Sequence, residues 1–430
     1  MRVHLVGIAG AGVSALARVY LTRGDAVSGC DIRELPITEE LQAEGAAITT
    51  DGQSAEHVRG QDLVVYGGQT KPDHFELEAA RAEGARVRSR AEALADLVAE
   101  TPNSIAIAGT HGKTTTAFMA GHILNLAGRD TTLYIGDHST HSRFGRGGWI
   151  VAEVDESDGT LMLHHPKHAL VTNADYDHAN FFADVDAVRA HFAEWLGRLP
   201  ADGVAVVCAD DPFLPSVQIS ARIVTYGFAA SADYRVEDAL PFRLWRHGEE
   251  LGTVALRHPG RHNRQDAAGA AALCLELGVP FEMVKRGLET FPGAHRRLEF
   301  MGEFRGARVY DDYGHHPTEI AAVLDAVREG HPGRAVVVVQ PARYSRLKAL
   351  LPRYVEVLRG VDPLIVTEVY ASGEPPNEAS GKQLAELVGA RYAPDLEAAR
   401  QAVEEIAEPG DWVVLVGLGD IWKVGRALVG

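Results

Sequence analysis

The sequence predicts an α/β protein of three domains: an N-terminal Rossmann-like domain, a central parallel sheet of the P-loop type, and a C-terminal Rossmann-like domain. Three observations predict it. A chain of 430 residues has room for about three cores of ordinary size. Short apolar runs alternate with helical stretches along nearly the whole length, the pattern of parallel sheets covered by helices. Two glycine turns, at residues 7–12 and 109–112, each stand between a strand and a helix, where backbone N–H groups close around a phosphate.

The first domain is expected over residues 1–100. Residues 2–6 read as a strand, Gly7 to Gly12 as a turn, and the stretch to about Arg23 as an apolar helix. Ala26 to Cys30 is the second strand, with Asp31 at its end, the Rossmann arrangement. The spacing is Gly7-x-x-Gly10-x-Gly12, which suits a diphosphate-containing nucleotide as well as a nicotinamide one. Asp31 either binds a ribose hydroxyl or is a solvated helix cap. Leu63–Tyr66 and a helix over Glu76–Glu83 continue the alternation, and Thr101-Pro102-Asn103 reads as a linker.

The second domain is expected over residues 101–293. Ser104–Ala108 reads as a buried strand and Thr114 onward as a helix, with Gly109-Thr110-His111-Gly112-Lys113-Thr114-Thr115 between. This is the short Gly-x-x-Gly-Lys-Thr form; the first glycine of the longer pattern falls at Ile107. Lys113 is expected on the β- and γ-phosphates of a nucleoside triphosphate, and the Thr114 hydroxyl on Mg²⁺. Two later strands end in acidic turns, Glu153-Val-Asp155-Glu156-Ser-Asp158 and Asp175-Tyr-Asp177-His178. Ligands meet the carboxyl ends of such strands, so Glu153 and His178 are candidate Mg²⁺ ligands, the carboxylate suiting that ion better. Among Asp155, Glu156 and Asp158, some are expected to be helix N-caps instead. Residues 220–257 suggest a small antiparallel addition, and Arg264–Leu277 a helix. Asn263 either meets an adenine-like base edge or is that helix's cap.

The third domain is expected over residues 294–430. A strand runs into Asp311-Asp312-Tyr313-Gly314-His315-His316-Pro317, and a later one into Gln340-Pro341-Ala342-Arg343-Tyr344-Ser345-Arg346. His316, before Pro317, reads as structural. Arg343 and Arg346 either clamp a carboxylate or phosphate or stand in solvent.

Composition narrows the function. The net charge of −17, from 42 basic and 59 acidic residues, argues against nucleic acid and anionic membranes as partners. Three scattered cysteines with no Cys-x-x-Cys suit a reducing cytoplasm and exclude a cysteine-cage zinc site. No signal peptide and no run of 18 apolar residues is present, so a cytoplasmic protein without a membrane span is expected.

Together the motifs resemble those of the Mur ligases, ATP-dependent amide-forming enzymes of peptidoglycan synthesis. The matching segments are 7–12, 109–116, 152–158, 172–178, 260–263, 296–300, 311–319 and 340–346, in the family order over nearly the whole chain. The run Asp311 to Pro317 points to the branch that adds L-alanine to UDP-N-acetylmuramate. The resemblance implies a UDP-sugar domain, a central ATPase and an amino-acid domain. It implies that the muramoyl carboxylate takes the γ-phosphoryl group of ATP and that alanine then displaces phosphate. It places Mg²⁺ on Thr114, Glu153 and His178, and ATP on 109–115, Asn263, Arg297 and Asp312. It places the UDP-sugar on Gly7, Gly10, Gly12, Asp31, His141 and Arg143. Tyr313, His315, Arg343 and Arg346 fall at the alanine and acyl-phosphate end, with Lys113, Glu153, His178 and His315 catalytic. A monomer or weak homodimer is expected.

The chain departs from the family pattern at Ala9, at Tyr66–Thr70, at Thr140–Arg143, at Ala179-Asn180, and at Ala342 where this branch has histidine. The departures bear on substrate identity and leave the phosphate chemistry intact. A nicotinamide oxidoreductase explains the first glycine turn and nothing at Gly109–Thr116. A non-catalytic nucleotide binder leaves the joint presence of Lys113, Thr114, Glu153 and His178 unexplained. Ligases that add another amino acid or a preformed peptide differ by substrate alone.

Overall fold

The computed structural model describes all 430 residues except Arg33, Asp51 and Asn180. The Ala179-Asn180 departure thus lies partly outside the described residues. The chain divides into two compact units: Met1–Ala174, Arg189–Ala255 and Gln265–Phe291 form one, and Asp175–Val188, Leu256–Arg264 and Pro292–Gly430 the other.

The first unit carries two sheets. The smaller has five parallel strands, β1 (Arg2–Val6), β2 (Ala26–Cys30), β3 (Ala47–Thr49), β4 (Leu63–Tyr66) and β5 (Arg86–Ser89), in the order β3-β2-β1-β4-β5. The order reverses at β1, so the turn after it lies at the switch point where such sheets take ligands. Helix α1 (Ala11–Arg23) leaves that turn and stops at Gly24, whose φ of 95° only glycine adopts cheaply. Its buried Arg18 pairs with Glu40 at 2.8 Å and Glu44 at 2.9 Å, and donates to Ser139 O at 2.6 Å. Helices α2 (Pro36–Ala43), α3 (Phe75–Ala82) and α4 (Arg90–Glu100) complete this layer, α4 opening on a reciprocal Ser89–Glu92 capping box.

The larger sheet has nine strands: β6 (Asn103–Ala108), β7 (Thr132–Tyr134), β8 (Trp149–Glu153), β9 (His168–Val171), β10 (Val204–Cys208), β11 (Arg222–Gly227), β12 (Tyr234–Val236), β13 (Phe242–Arg246) and β14 (Glu249–Val254). Their order is β14-β13-β12-β11-β10-β9-β6-β8-β7. The expected antiparallel addition is confined to β13 and β14, because β11 and β12 extend the parallel part. Strands β6 and β9 are buried along most or all of their length, which is why they read as apolar runs. Helices α5 (Lys113–Leu126), α6 (Val185–Leu196), α7 (Arg261–Glu276) and α8 (Phe281–Glu289) follow in the chain. The start of α7 corrects one expectation. Asn263 stands inside its first turn rather than capping it, and its Nδ2 donates to Pro259 O at 2.6 Å.

The second unit holds a six-stranded sheet of β15 (Glu299–Phe304), β16 (Ala307–Asp312), β17 (Ala335–Val339), β18 (Leu364–Thr367), β19 (Arg391–Ala393) and β20 (Trp412–Val416). The order is β15-β16-β20-β17-β18-β19, with only β15 antiparallel. Helices α9 (Pro317–Gly330), α10 (Tyr344–Leu358), α11 (Gly381–Val388), α12 (Leu396–Ile406) and α13 (Trp422–Val429) cover it, and the strands' alternating valines pack into cores on both faces. Among the described residues no helix is long and apolar enough to cross a membrane.

Candidate active site

In the first unit the loop between β6 and α5 has the shape its glycines permit. Gly109 has φ of 129° and Gly112 of 81°. A Cβ on Gly109 would fall 2.0 Å from Thr172 Oγ1, and one on Gly112 2.5 Å from Asp266 Oδ1, so both positions exclude side chains twice over. The loop is tied to the end of β9: Thr110 N donates to Asn173 O at 3.1 Å, His111 N to Asn173 Oδ1 at 2.9 Å, and Thr172 Oγ1 to His111 O at 2.5 Å. Thr115 is buried behind the loop.

Lys113 opens α5. Its Nζ donates to Gly109 O at 2.5 Å, Thr110 O at 3.2 Å and Glu156 Oε2 at 2.8 Å. Burial opposes its charge, but Glu156, Asp155 and Glu153 outweigh that and hold its pKa above the ordinary lysine value. The Thr114 hydroxyl donates to Glu153 Oε1 at 2.7 Å, and Gly136 N donates to Glu153 Oε2 at 3.0 Å. Burial raises the Glu153 pKa, with Asp137 adding to it. Asp155 and Asp158 each accept a backbone N–H two residues on, at 3.0 Å, which makes them turn formers rather than the expected helix N-caps; the short helical turn at Thr160–Leu163 starts on Gly159 without a side-chain cap. Glu156 instead pairs with Lys113, which sequence reasoning missed.

The N-terminal glycine turn is pinned to β2: Gly7 N and Ile8 N both donate to Cys30 O, at 2.9 and 3.1 Å. Gly10 is the α1 cap. A Cβ on Gly12 would meet Arg90 Cδ at 2.4 Å and Tyr134 Oη at 2.7 Å, so this glycine makes room for side chains of the protein itself. Asp31 is buried, and its Oδ2 accepts from Ala9 N at 3.0 Å, which removes the reading of a solvated cap. His141 stacks on Phe118 at 3.9 Å between ring centres, and Arg143 pairs with Asp130 at 2.7 Å in a half-exposed position.

His178, Asn263, Arg297, Asp312, Tyr313, His315, Arg343 and Arg346 stand in the second unit. Arg346 is buried and grips Asp177 with two bonds, Nε–Oδ1 at 2.9 Å and Nη2–Oδ2 at 3.0 Å. Burial opposes the Asp177 charge; Arg346 and the imidazoles of His178 and His315 overcome it and hold its pKa well below the usual carboxylate range. Arg346 Nη1 and Arg343 Nε are buried without a hydrogen-bond partner among the described residues, and both residues line one small cavity with Asp177 and His178. The alternative of two solvated arginines is therefore wrong. Arg343 has φ of 63°, a conformation that only the surrounding structure enforces.

His315 Nδ1 lies 3.0 Å from Tyr313 O, and a carbonyl only accepts, so the ring proton is on Nδ1. Burial drives its pKa down to about 3. His316 is fully buried and caps α9, its Nδ1 accepting from Thr318 N at 3.2 Å. Asp312 accepts from Leu298 N and Gly314 N at 2.8 and 2.7 Å, and burial pushes its pKa up to about 6. Arg297 lies over the Tyr313 ring at 5.7 Å. Its neighbour Arg296 is structural, pairing with Asp311 at 2.6 Å and donating to Gly417 O at 2.7 Å.

A Gly-Lys-Thr loop joined to a carboxylate at the strand ends of a parallel-rich sheet defines a phosphate-loop nucleotide-binding protein of the α/β class. Family models match the chain from end to end: "Mur ligase family, catalytic domain" over residues 2–101, "Mur ligase middle domain" over 107–274 and "Mur ligase, glutamate ligase domain" over 296–419. The UDP-N-acetylmuramate–L-alanine ligase of Desulfosudis oleivorans is 41% identical, covering 99% of this chain and 97% of that protein. The ligase of the same name from Syntrophobacter fumaroxidans is 38% identical, covering 99% and 95%. Among solved structures, the UDP-N-acetylmuramate–alanine ligase of Thermotoga maritima superposes with a TM-score of 0.83 at 26% identity, covering 100% of this chain and 98% of that one. The UDP-N-acetylmuramate:L-alanyl-gamma-D-glutamyl-meso-diaminopimelate ligase of Neisseria meningitides gives 0.61 at 26% identity, covering 69% and 99%. The chain belongs to the Mur ligase family.

Proposed function

We propose that the protein joins L-alanine to UDP-N-acetylmuramate at the expense of ATP, through an acyl phosphate, in the making of peptidoglycan precursors. The observation that carries this reading is full-length identity of about 40% to ligases of that name, with Lys113, Thr114 and Glu153 set together as phosphate transfer requires.

The donor set suits Mg²⁺. Glu153 and the Thr114 hydroxyl offer hard oxygens. Asp137 Oδ2 is buried with no hydrogen-bond partner among the described residues, and its charge is felt at Glu153. When bound, Mg²⁺ supplies charge neutralisation between the attacking carboxylate and the triphosphate. Lys113, held here by Glu156 and two loop carbonyls, would swing its ammonium to the same phosphates, and the glycine loop offers backbone N–H groups. Among the metal ligands, His178 is the weaker choice for this ion.

In the second unit the orphan N–H groups of Arg343 and Arg346 are donors for the carboxylate of the amino acid. His315 keeps its Nδ1 proton on the Tyr313 carbonyl, and burial disfavours a second, which suits it to positioning the substrate through Nε2. Asn263 and Arg297 serve the nucleotide, as does Asp312 by shaping the 312–314 turn. Gly7, Gly10, Gly12 and Asp31 serve the UDP-sugar, with residues 1–100, 101–293 and 294–430 as the three domains. ATP and the UDP-sugar are cytoplasmic compounds, which puts the protein there, as a monomer or weak homodimer.

A second reading, transfer of a preformed peptide to the same sugar, is favoured by Ala342, fully buried where histidine is expected, and by the similarity to the Neisseria ligase. The test is phosphate release from Mg²⁺–ATP with UDP-N-acetylmuramate across single amino acids and the tripeptide. Release that needs L-alanine supports the first reading. Release with the tripeptide alone moves the assignment to the second.

A further inference from the structure

A second cluster of ligating side chains lies in the five-stranded sheet, away from the phosphate loop. Register pairs His4 with Ser28 and Val6 with Cys30, so His4, Ser28 and Cys30 share one face. On that face one ligating atom from each of His4, Cys30 and His57 lies within 4.8 Å of the others. The Glu76 carboxylate of α3 joins them: its Oε1 is 3.1 Å from His57 Nδ1 and 3.7 Å from Cys30 Sγ. Glu76 is fully buried, and its ion-pair partners among the described residues are the imidazoles of His57 and His74, with no lysine or arginine. His4 is 2% exposed; its Nδ1 is 2.9 Å from Ser28 Oγ, and its Nε2 has no hydrogen-bond partner among the described residues. A buried imidazole nitrogen oriented by a hydroxyl, next to a thiol, a second imidazole and a buried carboxylate, has the chemistry of a metal ligand.

We propose that His4, Cys30, His57 and Glu76 form a site for a thiophilic divalent cation of the zinc type, separate from any Mg²⁺ at Glu153. Ligand atoms around tetrahedral zinc stand roughly 3.3–3.8 Å apart, so the cluster closes on the ion by side-chain shifts of about 1 Å. On binding, Cys30 gives its proton to solvent and coordinates as thiolate. A cleft of about 520 Å³, bordered by His4, Ser28, Thr49, His57 and Gln61, leads to the site from solvent. The ion ties β1, β2, α3 and the His57 turn together. Because Cys30 O also receives Gly7 N and Ile8 N, occupancy stiffens the glycine turn.

The test is titration of the metal-stripped full chain with Co²⁺, read by the thiolate-to-cobalt charge-transfer band in the near ultraviolet. The Mg²⁺ residues include no thiol, so that band reports on a cysteine alone. One equivalent of Co²⁺, displaced by Zn²⁺, is expected to produce it. Cys30→Ser should abolish the band, and His57→Asn, in a half-buried turn, should weaken Co²⁺ binding about 100-fold with the circular dichroism unchanged. Absence of the band in the unaltered chain overturns the site. So does its persistence in Cys30→Ser, which would move it to Cys208 or Cys274, and so does unchanged affinity in His57→Asn.

Discussion

The phosphate loop and the Asp177–Arg346 cavity both hold a buried cation, but they are built from different materials. Lys113 is held by two main-chain carbonyls of its own loop and by Glu156, 43 residues on. The loop's shape comes from two glycines that no other residue replaces without strain. Arg346 is held by two oxygens of one side chain 169 residues away, with an orphan donor left over. The first arrangement is local and made of backbone, so it tolerates sequence change everywhere but at a few positions. The second is long-range and made of side chains, so either partner alone is a liability. A family that keeps its phosphate chemistry while varying the acceptor has reason to place the two functions on these two kinds of construction.

The sharpest way to break this comparison is Lys113→Ala. With the loop backbone intact, circular dichroism should change little, while ligation falls at least about 10³-fold; the buried Glu156 carboxylate loses its ammonium, so the melting point drops as well. Arg346→Ala should strike stability as well as ligation. It leaves Asp177 charged and buried, which costs about 3–5 kcal/mol of stability by denaturant unfolding. The double change Arg346→Met with Asp177→Leu should recover most of that loss. Third in size, Gly112→Ala should cost about 1–3 kcal/mol from its positive φ and the Asp266 contact. Adding Asp266→Ala should recover the steric share only.

Acid dependence separates two carboxylates of the second unit. The folded pKa of Asp177 is depressed, so its contribution is present above the unfolded value near 4 and is lost as pH falls below it. The folded pKa of Asp312 is raised to about 6, so its contribution is full below about pH 4 and is lost as pH rises through about 6. Asp312→Asn should flatten the second slope, on the order of 2 kcal/mol, and leave the acid limb; unfolding followed from about pH 3 to 7 reads both. The smallest effect is expected from Thr114→Ser. It keeps the hydroxyl on Glu153, so kcat should change by less than about threefold.

What the sequence showed and what it hid divide along the same line. The order of strands and helices, the two glycine turns, the phosphate loop and Glu153 with Thr114 were legible, because period, glycine and strand-end position are local signals. Glu156, Asp137 and the Arg346–Asp177 grip were not, since their partners are chosen by tertiary packing. The cap alternatives at Asp31 and Asn263 fail for a related reason. Their residue types suit caps, yet the turn at Ala9 claims Asp31, and α7 begins early enough to enclose Asn263. The His57–Glu76 pair had no motif at all, because it joins a single turn to a helix 19 residues later.

Arg18 carries a consequence for dissecting this chain. Its guanidinium is satisfied by Glu40 and Glu44 within the first hundred residues and by the Ser139 carbonyl 121 residues away. A fragment ending at residue 100 would keep the five-stranded sheet whole yet strip that buried cation of its carbonyl and Gly12 O of the Tyr134 hydroxyl it receives at 3.2 Å. The N-terminal sheet is thus autonomous in topology and dependent in solvation. Excised alone, it should expose a wetted Arg18 and melt well before the parent chain, whereas a fragment carried through residue 174 keeps both contacts.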